Sequence, residues 1–142
     1  MYISLASPHL GTVYADSQLV STGMWAIIKW SKCRSLNELA LGDSNQDIEN
    51  SLLFKLSSNG VLDGFSRIIL VSSPKDQYVP VHSARMQVPS RAEADVNGPA
   101  VIKMAFNLLA NIQPERLVRI SVHNSIPDSA STVDSFIGRA VS

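Results

Sequence analysis

The stretch Arg67-Ile-Ile-Leu-Val-Ser72 constrains the fold more than any other part of the chain. Its apolar residues follow one another without polar alternation, and the polar stretch Ser73-Pro-Lys-Asp-Gln-Tyr-Val-Pro80 ends the run. A short, unbroken apolar run between polar boundaries predicts a strand covered on both faces, as in a parallel sheet. Two further strands are predicted beside it. Tyr2 to Ala6 is a short apolar run stopped by Ser7-Pro8. In Arg116 to Val122, Val118, Ile120 and Val122 alternate with Arg119 and Ser121, the pattern of a half-buried strand near a sheet edge.

Helical patterns lie between the strands. Asp16 to Lys32 carries Leu19, Val20, Met24, Trp25, Ile27, Ile28 and Trp30 on nearly every side, interrupted by Gly23. The polar stretch Gly42 to Ser51 leads to a helical piece around Leu52 to Leu56, and Gly60 and Gly64 mark turns. From about Asn97 a helix is signalled by Pro99 near its start and by Val101, Met104, Ala105, Leu108, Leu109 and Ile112 at helical spacing, with Pro114 as its stop. A last helix starts near Ser131, which forms a capping box with Asp134, and shows an apolar face of Val133, Phe136, Ile137 and Ala140. Strands alternating with helices argue for an α/β fold with a mostly parallel sheet. Three strands and two covering helices make only part of such a sheet. A chain that opens inside a strand leads us to expect further sequence upstream.

Composition excludes several classes. With 45% hydrophobic and 17% charged residues, the 142-residue chain is not a disordered tail. Twelve basic and twelve acidic side chains cancel, so no nucleic-acid partner is expected. Cys33 is the only cysteine, which excludes an internal disulfide and fits a reducing compartment. The N-terminus does not read as a signal peptide, and Met24 to Trp30, the most apolar stretch, is too short to span a bilayer. A cytoplasmic location is the default expectation.

In open α/β sheets, functional groups gather in loops beyond the C-terminal ends of the strands. Two loops qualify, Ser7-Pro-His-Leu-Gly-Thr12 and Ser73 to Pro80. Asp76 lies four residues past the central run, where a carboxylate could orient a histidine; an ordinary turn-capping Asp is the competing reading. His9 either faces a cleft or bonds to backbone. His82 belongs at the start of a turn or helix, and His123 at the exposed end of the edge strand. The three histidines lack metal-ligand spacing, so no metal is expected. Cys33 sits between Lys32 and Arg34, but no partner histidine can be assigned to it. The Met24–Trp30 stripe reads equally as core or as a lid over an apolar substrate. Glycines occur at 11, 23, 42, 60, 64, 98 and 138, and no pair brackets a serine as G-x-S-x-G requires; the Gly60–Gly64 pair centres on Leu62.

Several separated motifs carry a family resemblance. Ser-Pro-His-Leu-Gly-Thr (7–12), Leu19 to Trp25, Asp76-Gln-Tyr-Val-Pro-Val-His-Ser-Ala-Arg85 and Phe136-Ile-Gly-Arg-Ala140 resemble, in order, the eukaryotic putative serine esterases. The resemblance implies a lipase-like α/β-hydrolase fold and a triad in the chain order Ser, Asp, His. It assigns the acid to Asp76. It places His9, Leu10 and Gly11 with Trp25 at the substrate, an ester or acyl lipid, and implies no cofactor. Residues 16–64 would then form a lid-like helical insertion. In the family, a Gly-His-Ser-Leu-Gly elbow precedes the Ser-Pro-His motif, and the histidine closely follows Ile-Gly-Arg-Ala, where this chain reads Val141-Ser142. The expectation is therefore a C-terminal part, residues 1–142, of a truncated hydrolase domain. It holds the acid without nucleophile or histidine and is inactive by itself. The alternative is a non-catalytic binding or interaction module.

Overall fold

The computed structural model describes residues 1–14, 34–45, 47–76 and 78–123. The expected helices at 16–32 and 131–140, with Trp25, Trp30 and Cys33, lie outside the described residues.

Among the described residues three strands form the sheet: β1 (Tyr2–Leu5), β2 (Ile68–Ser72) and β3 (Leu117–Ser121). They lie in the order β1-β2-β3 and are all parallel. Tyr2 pairs with Ile68, which pairs with Leu117. Because strand side chains alternate with period two, this register sorts the sheet into two faces. Tyr2, Ser4, Ile68, Leu70, Ser72, Leu117 and Arg119 share one; Ile3, Leu5, Ile69, Val71, Val118 and Ile120 share the other.

The first face is covered. Helices α1 (Arg34–Leu39), α2 (Leu52–Ser57), the single turn α3 (Val81–Ala84) and α4 (Gly98–Leu109) connect and cover the strands. In α4 the buried residues Val101, Met104, Ala105 and Leu108 follow the i, i+3, i+4, i+7 spacing of one helix face. Pro99 occupies the first turn, where its missing N–H costs no helical bond. Ser51 starts α2 by accepting the Phe54 N–H at 3.2 Å. Lys103 of α4 reaches across α2, pairing with Glu49 at 2.8 Å and standing 5.3 Å from the Phe54 ring centroid. The core joins Leu10, Leu41, Ile48, Phe54, Leu62, Ile68, Leu70, Met86, Val101 and Met104, among others. Fully burying a side chain such as Leu70 or Met104 stabilises by about 1.5–3 kcal/mol. Of the stretch 16–64, residues 41–62 thus supply part of this core.

The second face is not covered by any described element. Leu5 is 71% exposed, Ile3 52%, Ile120 43% and Val118 40%. Among the described residues the 67–72 run is packed over on one side: Ile68, Leu70 and Ser72 are buried, whereas Ile69 and Val71 are half-buried. Among the described strands the 116–122 strand lies at the edge, but with its faces exchanged. Its apolar alternates Val118 and Ile120 look outward, while Leu117 and Arg119 turn toward the helices. The helix expected to run to Pro114 stops at Leu109, and Pro114 instead opens a 3-10 turn, Pro114–Arg116, leading into β3.

Candidate functional site

Parallel strands end on one edge of the sheet, so their following loops become neighbours. Pairing extends past two of the strands: the Ala6 N–H donates to Val71 O at 2.9 Å and the Val122 N–H to Ser72 O at 2.8 Å. Residues 7–12 after β1, 73–80 after β2 and His123 after β3 therefore lie along the same edge. The structure brings together the two loops that the sequence singled out.

Asp76 is held by its own loop. Its N–H donates to Ser73 O at 3.2 Å, and its Oδ1 accepts the N–H groups of Tyr78 at 2.9 Å and Val79 at 3.0 Å. This is an Asx-type turn, so the turn-capping reading of Asp76 is realised. It does not consume the carboxylate. Oδ2 accepts no hydrogen bond from a described residue, and the side chain is half-buried at the sheet edge.

The loop 7–12 is tied down on two sides. Pro80 begins α3, which presents Ser83, and Ser83 Oγ accepts the Leu10 N–H at 2.9 Å. On the other side, the Thr12 N–H donates to Leu39 O at 2.8 Å. Gly11 sits at φ +77°, and a Cβ there would lie 2.6 Å from Leu39 O, so only glycine fits this approach. Leu10 points into the core and is fully buried. His9 stays partly buried beside Tyr2, whose hydroxyl lies 3.0 Å from His9 Nε2. Burial lowers the His9 pKa below its usual 6.5, and the Ser83 and Ser7 carbonyls offset this only in part. In the resulting neutral ring Nε2 can accept from the Tyr2 hydroxyl, while Nδ1 is buried without a hydrogen bond.

A second tie follows the loop. Tyr14, at φ +61°, donates to Asp95 Oδ2 at 2.5 Å and meets the His82 ring edge-on at 6.2 Å between centroids. Burial, then the neighbouring carboxylate, raises the Tyr14 pKa; the same hydroxyl holds Asp95 below its usual value. His82 lies in α3, and His123 is exposed two residues past β3. Trp25 lies outside the described residues. Ser83 and the Tyr14–Asp95 pair were not singled out from sequence. Their partners lie 73 and 81 residues apart, beyond any local pattern.

Among the described residues no three His, Cys, Asp or Glu side chains are placed to hold a metal ion, and no helix is long and apolar enough to cross a membrane. The site is thus built around one loop carboxylate and a partly buried neutral histidine.

The family model described as putative serine esterase (DUF676) matches residues 1–91 of this chain. The match takes in β1, the 7–12 loop, β2, Asp76 and α3. No solved structure matches the chain.

Proposed function

Because the chain belongs to the putative serine esterase family, we propose that Asp76 is the acid of a Ser-Asp-His triad that hydrolyses carboxylic esters. Family membership carries the general esterase activity and a small-molecule ester as substrate. The observation behind the residue assignment is the state of the Asp76 carboxylate. One oxygen is locked by two backbone N–H groups, while the other, which accepts no hydrogen bond from a described residue, can accept the Nδ1–H of a histidine. Such a carboxylate fixes the tautomer of the imidazole and stabilises the imidazolium formed when the serine proton is taken up.

On this reading the serine attacks the ester carbonyl, the histidine accepts its proton and returns it to the leaving alcohol, and water then releases the acid. The 7–12 loop, with His9, Leu10 and Gly11, forms one wall of the acyl site, and Trp25 in the 16–64 insertion forms another. Ser83 acts at one remove by fixing the Leu10 backbone. No G-x-S-x-G occurs in these 142 residues, so the chain by itself does not hydrolyse esters. Losing a triad nucleophile removes on the order of a millionfold in rate.

The test is fluorophosphonate labelling of the natural full-length gene product, beside the 142-residue chain. Labelling of the former alone is the expected outcome, with Asp76→Asn cutting kcat by ~10⁴ at unchanged melting temperature. A full-length product that contains no reactive serine, or an Asp76→Asn variant with undiminished turnover, would refute the assignment.

The apolar face of Ile3, Leu5, Val118 and Ile120, which no described element covers, favours a second reading, a non-catalytic module that binds through its surface. A ligand held by the isolated chain and released by Trp25→Ala or Leu5→Lys would support it.

A further inference from the structure

An arginine on the covered side of a sheet needs a reason. Arg119 shares its face with Leu70 and Leu117, and its side chain is half-buried. Its Nε donates to Arg85 O at 2.8 Å, leaving the two terminal nitrogens without a hydrogen bond to any described residue. Arg85 is itself fixed, with Nε donating to Gln87 Oε1 at 2.9 Å and Nη1 to Ser121 Oγ at 2.6 Å. Among the described residues neither guanidinium has a carboxylate within ion-pairing distance. Burial first, and repulsion from Arg85 second, lower the Arg119 pKa, as expected of a charge held without a counter-ion among the described residues.

Arg119 lines a cleft of about 650 Å³ between α4, residues 86–91 and β3. That volume falls inside the range of about 300–1,000 Å³ usual for small-molecule sites. Among the described residues that line it there is no aspartate or glutamate. The nearby Asp95 is already engaged by the hydroxyl of Tyr14, which also lines the cleft. Its apolar lining comes from Met86, Val88, Ala105, Phe106 and Leu109, with Gln87, Ser90 and Arg91 at its polar part. Phe106 is 65% exposed and Val88 41%, large apolar surface standing open to solvent beside the Arg119 guanidinium. Asp76, His9 and Gly11 do not line this cleft, so it is distinct from the triad-acid site.

We propose that this cleft binds a medium- or long-chain carboxylate, its head on the Arg119 guanidinium and its hydrocarbon chain along Val88, Phe106 and Leu109. A planar carboxylate matches the two free N–H groups of a guanidinium fork, and Arg85 behind it deepens the positive potential. The apolar wall takes the chain out of water. This is the chemistry of an acid released from an acyl ester, but binding it requires no catalytic group, so the proposal stands or falls separately from the triad assignment.

The test is isothermal titration of the 142-residue chain with decanoate, decanol, decyl phosphate and decyltrimethylammonium, with circular dichroism to confirm that each variant folds. Saturable, one-to-one binding of decanoate, tighter than the other three, is expected. Arg119→Gln should weaken it by about tenfold or more, because a hydrogen bond to a charged group is lost, and Arg119→Lys should restore part of the affinity. If Arg119→Gln does not fold, the exposed Phe106→Ala provides the test, since it leaves the core intact and should weaken decanoate binding severalfold. Absence of saturable binding, equal binding of all four amphiphiles, preference for decyl phosphate, or unchanged affinity in the folded variants would each overturn the proposal.

Discussion

Replacing Ser83 by alanine isolates one contact that ties the 7–12 loop to α3, the helix that follows the 73–80 loop. Ser83 and Leu10 are both fully buried, and the Leu10 N–H is donated to Ser83 Oγ at 2.9 Å across 73 residues of sequence. The substitution deletes little more than the oxygen, so packing is nearly conserved and the loss is the acceptor. A buried N–H left without a partner costs about 1–3 kcal/mol. A small domain has only about 5–15 kcal/mol to lose. The expected result is a urea midpoint lowered by that amount at constant m value, with a melting temperature lower by about 3–10 °C. Amide exchange at Leu10 should accelerate more than at Val101, which is equally buried but bonded within a helix. Ser72→Ala is the matched comparison. Its hydroxyl reaches Ile120 O at only 3.4 Å, a weak bond whose loss should cost under about 1 kcal/mol. If Ser83→Ala changes stability by less than about 0.5 kcal/mol while the Leu10 amide stays protected, the hydroxyl is not what anchors the 7–12 loop.

Further outcomes can be checked alongside. Gly98→Ala should destabilise by at least ~2 kcal/mol, because its Cβ would stand 1.6 Å from Ala92 O; Gly64→Ala, with nothing within 4 Å, should change stability by no more than ~0.5 kcal/mol. Denaturant titrations of the two variants decide both. His9 has a folded pKa lowered by burial, so the unfolded chain binds the extra proton first. Its contribution is therefore full above the ordinary value of 6.5 and is lost as pH falls below it toward the folded value. The stability difference between about pH 7.5 and pH 5 should shrink in His9→Gln, and an unchanged difference would place the titration elsewhere. Leu5→Lys combined with Ile120→Thr should reduce self-association in sedimentation velocity without lowering the melting temperature, since both side chains are exposed on the sheet face that no described element covers.

Periodicity and punctuation determined much of this protein. The apolar run 68–71 could be little else than a strand, and Val101, Met104, Ala105 and Leu108 declared both a helix and its buried face. Ser7-Pro8, Gly60 and Pro99 marked boundaries because their backbone limits act locally, whatever the rest of the chain does. The loops carrying His9 and Asp76 were legible for the same reason: they follow strands. What the sequence could not carry was which side of each strand would be covered. Alternation records that Val118 and Ile120 share a face, but the cover over that face comes from distant elements, so here the apolar alternates look outward and Arg119 looks in. The anchoring of Leu10 by Ser83, the Tyr14–Asp95 bond and the cleft beside Arg119 likewise arise only when segments remote in sequence meet. Local rules act through neighbours along the chain; burial and charge pairing are decided by neighbours in space.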